Sequence, residues 1–392
     1  MLKRLAIQVL VLLLVAAALP IVDADARSRG RRSHGGGGGG KGVVPTTACD
    51  QLASDPADPV KGVKSVPLAS IKGDLALKQC LQSRKKFPSV ARFAAQSGRA
   101  LEKLGRIDEA VDAYKDAAAL GGLIAACRAG TLLRDGAGIK ADQREATRLF
   151  RLGSDKGELA CQMALAGQYV TGRGVKVSKS EAAKLYKLVG AKGDAAALNS
   201  LGELLRDGDG VNRDEKQAVS LFGQAAQKGS SRALFNMGLA LRDGVGANKD
   251  VVKAIQFFEQ AAAKGESEAL LKIAFAYLTG NGVNEDDRRA LDYYQRAAIA
   301  GNADGMAGVA YIYANARGVE VDPVLAAAWL VKALAGGSDY AWLQMSEHSN
   351  EWSVEVRKAL QKGLIAREIY KGPADGVFTP ETMAAIRKLA GK

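Results

Sequence analysis

The sequence of 392 residues holds two histidines, His34 and His348, which excludes an active site assembled from several imidazoles. Its four cysteines, Cys49, Cys80, Cys127 and Cys161, are too few for a disulfide-dense scaffold. No pair has CxxC spacing, so zinc-finger and thioredoxin-like sites are excluded too. Aromatic residues make up only 6%, against 45 glycines, a balance that suits closely packed helices better than a large β-sandwich. Acidic residues number 42 against 55 basic ones, for a formal net charge of +13. What remains is ample for a core: 47% of residues are hydrophobic and 25% charged, which excludes wholesale disorder. At roughly 150 residues per domain, the length predicts two or three domains or one long repeat array.

Residues 1–26 read as a secretory signal peptide. Lys3 and Arg4 form a basic start, Leu5 to Leu19 carries no charge, Pro20 breaks the run, and Ala24-Asp25-Ala26 supplies a small-x-small cleavage pattern. The alternative is a retained anchor, but the apolar run to Val22 is 18 residues, at the short end for a span. No later segment is apolar enough to cross a membrane, so the expected location is periplasmic or secreted, where disulfides persist. Residues 27–48 read as a basic, Gly-rich flexible linker: Arg27, Arg29, Arg31 and Arg32 precede Gly35 to Gly40 and Lys41. An exported chain meets no nucleic acid. The arm is then a solubilising spacer or a contact for headgroups, acidic polysaccharide or wall polymer.

Self-comparison gives a period of 36 residues. Gly121, Gly157, Gly193, Gly229, Gly265, Gly301 and Gly337 form one ladder, and Gly138, Gly174, Gly210, Gly246, Gly282 and Gly318 a second. Ala146, Ala182, Ala218, Ala254, Ala290 and Ala326 form a third, each followed four residues on by Phe150, Tyr186, Phe222, Phe258, Tyr294 or Leu330. Each of the six units over residues 122–337 reads as two helices. In the unit from Gly193 to Gly229, Ala197, Leu201, Gly202 and Leu205 share one face at helical spacing. Gly208 then ends the first helix, and Asp214 caps the second. The cap ladder is Asp142, Ser178, Asp214, Asp250, Asp286 and Asp322. A single helix pair cannot bury its own apolar face, so an all-α, right-handed α-solenoid is expected.

The string A-x-x-x-L-G-x-x-L/Y-x-x-G-x-G-V-x-x-D/N-x-x-x-A-x-x-Y/F-x-x-A-A-x-x-G resembles the Sel1-like repeats, relatives of tetratricopeptide repeats. It fits best in the units that start at Gly193, Gly229 and Gly265. Ala316 stands where the sixth unit would carry its first loop glycine. Residues 90–121, with Gly98, Leu101, Gly105, Ala110, Tyr114 and Ala117, resemble one plain tetratricopeptide unit.

The ends break the period. In the segment 49–89, Cys49 and Cys80 are expected to pair and staple the leading residues to a helix near Leu75 to Leu81. Cys127 and Cys161 fall on the first helices of neighbouring units, either bonded or as buried thiols. Residues 338–392 form a small C-terminal helical segment. There Tyr370, Asp375-Gly376, Phe378, Thr382 and Ala385-Ile386 resemble the end of a peptidoglycan-binding-like module, although Thr379 replaces its usual glycine and the final aromatic-Gln pair is missing. The resemblance offers Tyr370, Asp375, Phe378 and Thr382 as glycan contacts. The alternative is a cap over the last apolar face of the solenoid.

Catalytic and cofactor patterns fail on inspection. Gly35 to Lys41 mimics a phosphate loop but lacks the following Ser or Thr, and Asp207-Gly-Asp209-Gly places Val211 and Ala218 at positions where calcium needs oxygen. Ser83 to Lys86 has the S-x-x-K spacing alone, without its partner motifs. The expectation is a binding protein with no metal, cofactor or catalytic residue. Resemblance to tetratricopeptide arrays puts the first helix of each unit on a concave face. The outward ladders there are Asn199, Phe235, Leu271 and Ala307, then Glu203, Leu239, Phe275 and Tyr311, flanked by Arg206 and Arg242. Arg206, Phe235, Leu239, Arg242, Leu271, Phe275 and Tyr311 are therefore the expected contacts for an envelope protein or peptide. The second reading is a binder of peptidoglycan or acidic polysaccharide through the C-terminal module and basic arm. A wall hydrolase is a distant third, with no nucleophile and base in view.

Overall fold

The computed structural model describes residues 44–57 and 59–392; the signal segment and most of the basic linker lie outside the described residues. Residues Thr46–Lys392 pack as one continuous unit. Nineteen α-helices follow one another among the described residues. An entry segment holds α1 (Ala48–Ala53) and α2 (Gly73–Lys86), followed by a helix pair, α3 (Ala91–Lys103) and α4 (Ile107–Ala119). The first two repeats are α5 (Leu123–Asp135) with α6 (Gln143–Ser154), and α7 (Leu159–Thr171) with α8 (Lys179–Ala191). The next two are α9 (Ala195–Asp207) with α10 (Glu215–Gln227), and α11 (Ser231–Asp243) with α12 (Val251–Ala263). The last two are α13 (Ser267–Thr279) with α14 (Asp287–Ile299), and α15 (Ala303–Ala314) with α16 (Pro323–Ala335). Three more helices close the array: α17 (Asp339–Ser346), α18 (Val354–Ile365) and α19 (Pro380–Ala390). The fold is a right-handed α-solenoid.

Every expected cap of a second helix forms. The side chains of Asp142, Ser178, Asp214, Asp250, Asp286 and Asp322 each accept from the backbone N–H three residues on, satisfying a donor that the helix leaves open. The glycine and aromatic ladders are coupled through space. A side chain at Gly202 would meet the Phe222 ring at 2.6 Å, as would one at Gly130 against Phe150. The first helix yields that volume so that the second can bury a ring. In units whose ring is Tyr186 or Tyr294, alanine takes the same slot, at Ala166 and Ala274.

The loop glycine missing from the sixth unit leaves a mark. Ala316 has φ +55°, in the left-handed region that Gly172, Gly208, Gly244 and Gly280 occupy in the preceding units. An L side chain costs roughly 1–2 kcal/mol there. Ala316→Gly is expected to raise stability by about 0.5–1 kcal/mol after the added freedom of the unfolded chain is discounted. An increase in the urea midpoint checks it; a decrease contradicts it.

Both cysteine pairs are bonded. Cys49 joins Cys80, as expected, and Cys127 joins Cys161, which settles the alternative left open above. The second bond ties α5 to α7 across two repeats, and Gly153 on α6 makes room for it, since a side chain there would overlap the Cys161 sulfur.

The entry segment is held by a polar cluster. The Asp50 carboxylate accepts from Arg92 Nε at 3.0 Å and Gln96 Nε2 at 3.1 Å. Arg99 is 1% exposed and donates to the carbonyls of Ala53 (2.9 Å), Ser54 (2.6 Å) and Val66 (2.6 Å). Asp55 accepts both nitrogens of the Arg128 fork, at 2.7 and 2.9 Å. At the other end, Leu330, Val331 and Leu334 of α16 share one core with Trp352, Leu360, Leu364, Tyr370 and Ile386. The C-terminal segment therefore seals the last repeat.

Candidate binding surface

The sequence-derived contacts divide into three groups in the structure. Phe235 is not presented. It is 3% exposed and packs against the Phe258 ring at 5.6 Å between centroids. It faces α12 of its own repeat rather than solvent; Asn199 and Ala307, at the same position of their repeats, are buried as well, whereas Leu271 is only partly so. Leu239 is half-buried against the same core. Arg206 lies beyond the main groove and forms a bidentate pair with Asp207, at 2.7 and 3.0 Å.

Arg242, Leu271, Phe275 and Tyr311 do come together. They line an open groove of about 670 Å³ on the first-helix face, spanning α11, α13, α15 and α17. Phe275 is 56% exposed and is part of its lining. The remaining lining includes Lys272, Leu278, Tyr294, Asp304, Tyr340 and Arg317, none of which was among the expected contacts. Lys272 and Gly308 belong to a ladder with Ser200 and Asn236, one position beyond the Phe235 ladder; its 36-residue spacing was the available signal. Tyr294 was assigned to the core alone, and Tyr340 lies past the last full repeat.

The electrostatics of the groove follow from its pairings. Arg242 forks onto Asp243 with two bonds of 2.7 Å, and that hydrogen bond holds the Asp243 carboxyl below its usual range. Arg317 reaches Asp287 Oδ1 at 2.9 Å, Glu285 Oε1 at 2.7 Å and the Leu278 carbonyl at 3.0 Å. Both guanidinium groups are thus largely spent within the protein. Lys272 has no ion pair or hydrogen bond among the described residues. Burial, helped by the nearby Tyr340 and Tyr311 phenols, pushes the Tyr294 hydroxyl up to about 12, so it stays a neutral donor at physiological pH.

A second depression, about 1150 Å³, lies on the first-helix face of the early repeats, bordered by Arg134, Met163, Gly167 and Arg173. Between the two depressions a pair of buried amides lies beneath that face. Asn236 Nδ2 donates to Asn199 Oδ1 at 2.9 Å and to Glu203 Oε1 at 3.0 Å.

At the C-terminus, Tyr370 and Thr382 are buried, against the glycan contacts expected of them. The Tyr370 hydroxyl donates to the Pro373 carbonyl, and Thr382 accepts from Gln361 within the core. Gln361 also takes the Gly376 N–H at 2.7 Å and donates to the Val377 carbonyl at 2.9 Å. The Asp-Gly turn is therefore fixed from inside. Asp375 remains exposed and Phe378 half-buried. His348 pairs with Glu351 at 3.0 Å on the surface. No cluster of metal-ligating side chains and no helix long and apolar enough to cross a membrane occurs among the described residues.

The Sel1 repeat family matches six consecutive blocks: residues 123–158, 159–194, 195–230, 231–266, 267–302 and 303–338. The division falls within a residue or so of the glycine ladder. Among solved structures, a Sel1 repeat protein from Oxalobacter formigenes is similar at 30% identity and a TM-score of 0.56, covering 61% of this chain and 98% of its own. The protein c5321, described as a protective antigen present in uropathogenic Escherichia coli strains, shares the fold at 22% identity and a TM-score of 0.52, over 80% of this chain and 79% of its own. No curated protein is significantly similar to the sequence. With six tandem matches over more than half of its length, the chain belongs to the Sel1 repeat family.

Proposed function

We propose that this protein is an exported, non-enzymatic scaffold that holds an envelope protein or peptide on the first-helix face of its later repeats. Sel1 repeats are protein-interaction scaffolds. The observation that carries the reading is the groove around Phe275, a large ring left 56% exposed among Leu271, Leu278 and Tyr311. Covering such a ring contributes about 1.5–3 kcal/mol, and exposed aromatic anchors in a concave setting are the usual centres of protein interfaces. Export is supported by the signal-like residues 1–26 and by two disulfides, which persist in oxidising compartments.

Capture from envelope extract tests the reading. The tagged protein is crosslinked beside a Phe275→Asp, Tyr311→Ala variant. The wild type is expected to retain a discrete protein and the variant at least tenfold less of it. Peptidoglycan or polysaccharide retained equally by both, with no protein, would instead place binding at the ends of the chain.

A further inference from the structure

We infer that the groove of the last three repeats takes an extended peptide in which an apolar side chain, flanked by acidic residues, enters beside Phe275; this rests on the scaffold reading above. Gly308 is what opens the groove. At the equivalent inter-repeat position, Tyr186 of the second unit is met by the Ser200 hydroxyl. Tyr294 of the fifth unit is met by Gly308, where any side chain would overlap its ring. The missing side chain leaves the phenol edge of Tyr294 facing the groove, next to Tyr311 and Tyr340.

The inner surface therefore has an apolar floor, Leu271, Phe275 and Leu278, beneath a set of unspent donors. None of the three phenol hydroxyls has a hydrogen-bond partner among the described residues, and neither does the Lys272 ammonium. Groups able to donate up to six hydrogen bonds thus converge on one space, by roughly one from each phenol and three from an ammonium. The carboxylate in the lining, Asp304, already accepts from Ser338 Oγ at 2.6 Å. Such a surface is complementary to acceptors: backbone carbonyls of an extended chain and carboxylates beside its anchor. A basic peptide would bring its charge to Lys272, with Asp304 the one carboxylate in the lining to offset it. The groove is open along the array, which suits a chain passing through rather than an enclosed small molecule.

Three fluorescein-labelled nonapeptides on one Gly-Ser backbone test this by anisotropy with the full chain. The first has a central Phe between Glu residues, the second the same Phe between Lys residues, and the third a central Ser between Glu residues. The first is expected to bind at least tenfold more tightly than either of the others. Lys272→Glu is expected to abolish that preference between Glu and Lys flanks, while Lys253→Glu on α12 leaves it intact. Tyr311→Phe, which keeps the ring and removes one donor, is expected to weaken the first peptide two- to fivefold. Equal binding of the Lys-flanked peptide, indifference to Lys272→Glu, or no binding of any peptide overturns the inference. Capture of an envelope protein by the wild type, lost on Phe275→Asp with Tyr311→Ala, would still uphold the scaffold reading, so the two can fail separately.

Discussion

Gly246→Ala is expected to cost about 3 kcal/mol or more, although it adds a single methyl group. Gly246 has φ +72°, where an L side chain is already strained, and its Cβ would overlap the Glu215 carbonyl oxygen at the start of α10. That oxygen belongs to helical backbone and cannot step aside as a flexible side chain would. Gly174 sits in the same way over the Gln143 carbonyl, so this ladder seats each loop against the second helix of the preceding repeat. Gly223 on α10 is the control. Nothing lies within 4 Å of a Cβ there and its φ is ordinary, so Gly223→Ala is expected to stabilise by about 0.5–1 kcal/mol. Because repeat arrays unfold unit by unit, hydrogen exchange resolved along the chain is the proper readout. The loss should centre on α10 and α11. A Gly246→Ala protein as protected as wild type in that region would contradict the packing described.

Arg99→Met is expected to cost about 3–5 kcal/mol at the entry end of the array. The substitution keeps most of the apolar stem and leaves the carbonyls of Ala53, Ser54 and Val66 without their shared donor in a buried site. The Cys49–Cys80 bond would still tether the segment, so the expected phenotype is local: residues 46–71 become sensitive to protease while the repeats keep their protection. Acidification should act on the same cluster. Burial alone would raise the Asp55 carboxyl, but the Arg128 hydrogen bond and the nearby Arg99 charge hold it below its ordinary 3.8. Its contribution is thus present above that value and lost as the pH falls through the lower folded one. Protease resistance of residues 46–71 unchanged by Arg99→Met would show that the disulfide alone holds the segment.

The architecture was legible because four residue ladders repeat in one register, and because each has a local cause: a ring, the glycine that admits it, a cap and a left-handed loop residue. The Cys49–Cys80 pairing followed from two cysteines outside the period. The candidate groove was legible only in part. Arg242, Leu271, Phe275 and Tyr311 were placed together by helical spacing, but the same spacing could not tell Phe235 from Phe275. Those rings are 40 residues apart, one helical turn beyond the period, and that offset turns Phe235 inward, onto Phe258 of its own repeat. Lys272, Tyr294 and Tyr340 were missed for a related reason. Their exposure depends on what the neighbouring repeat places opposite, as Gly308 does for Tyr294, and a period read along one chain does not show that. The C-terminal motif misled in the same manner. Tyr370 and Thr382 match a binding pattern by type and spacing, yet both are consumed by the core that closes the solenoid.

The most direct test of the binding surface is site-specific photocrosslinking in intact cells, with a benzophenone side chain placed at Phe275 on the first-helix face or at Val324 on α16. Val324 is 72% exposed and serves as a control more accessible than Phe275 itself, at 56%. A discrete protein adduct from position 275 and none from position 324 is the result expected of a groove that holds a partner. Adducts from 324 alone, or the same adducts from both, would contradict it.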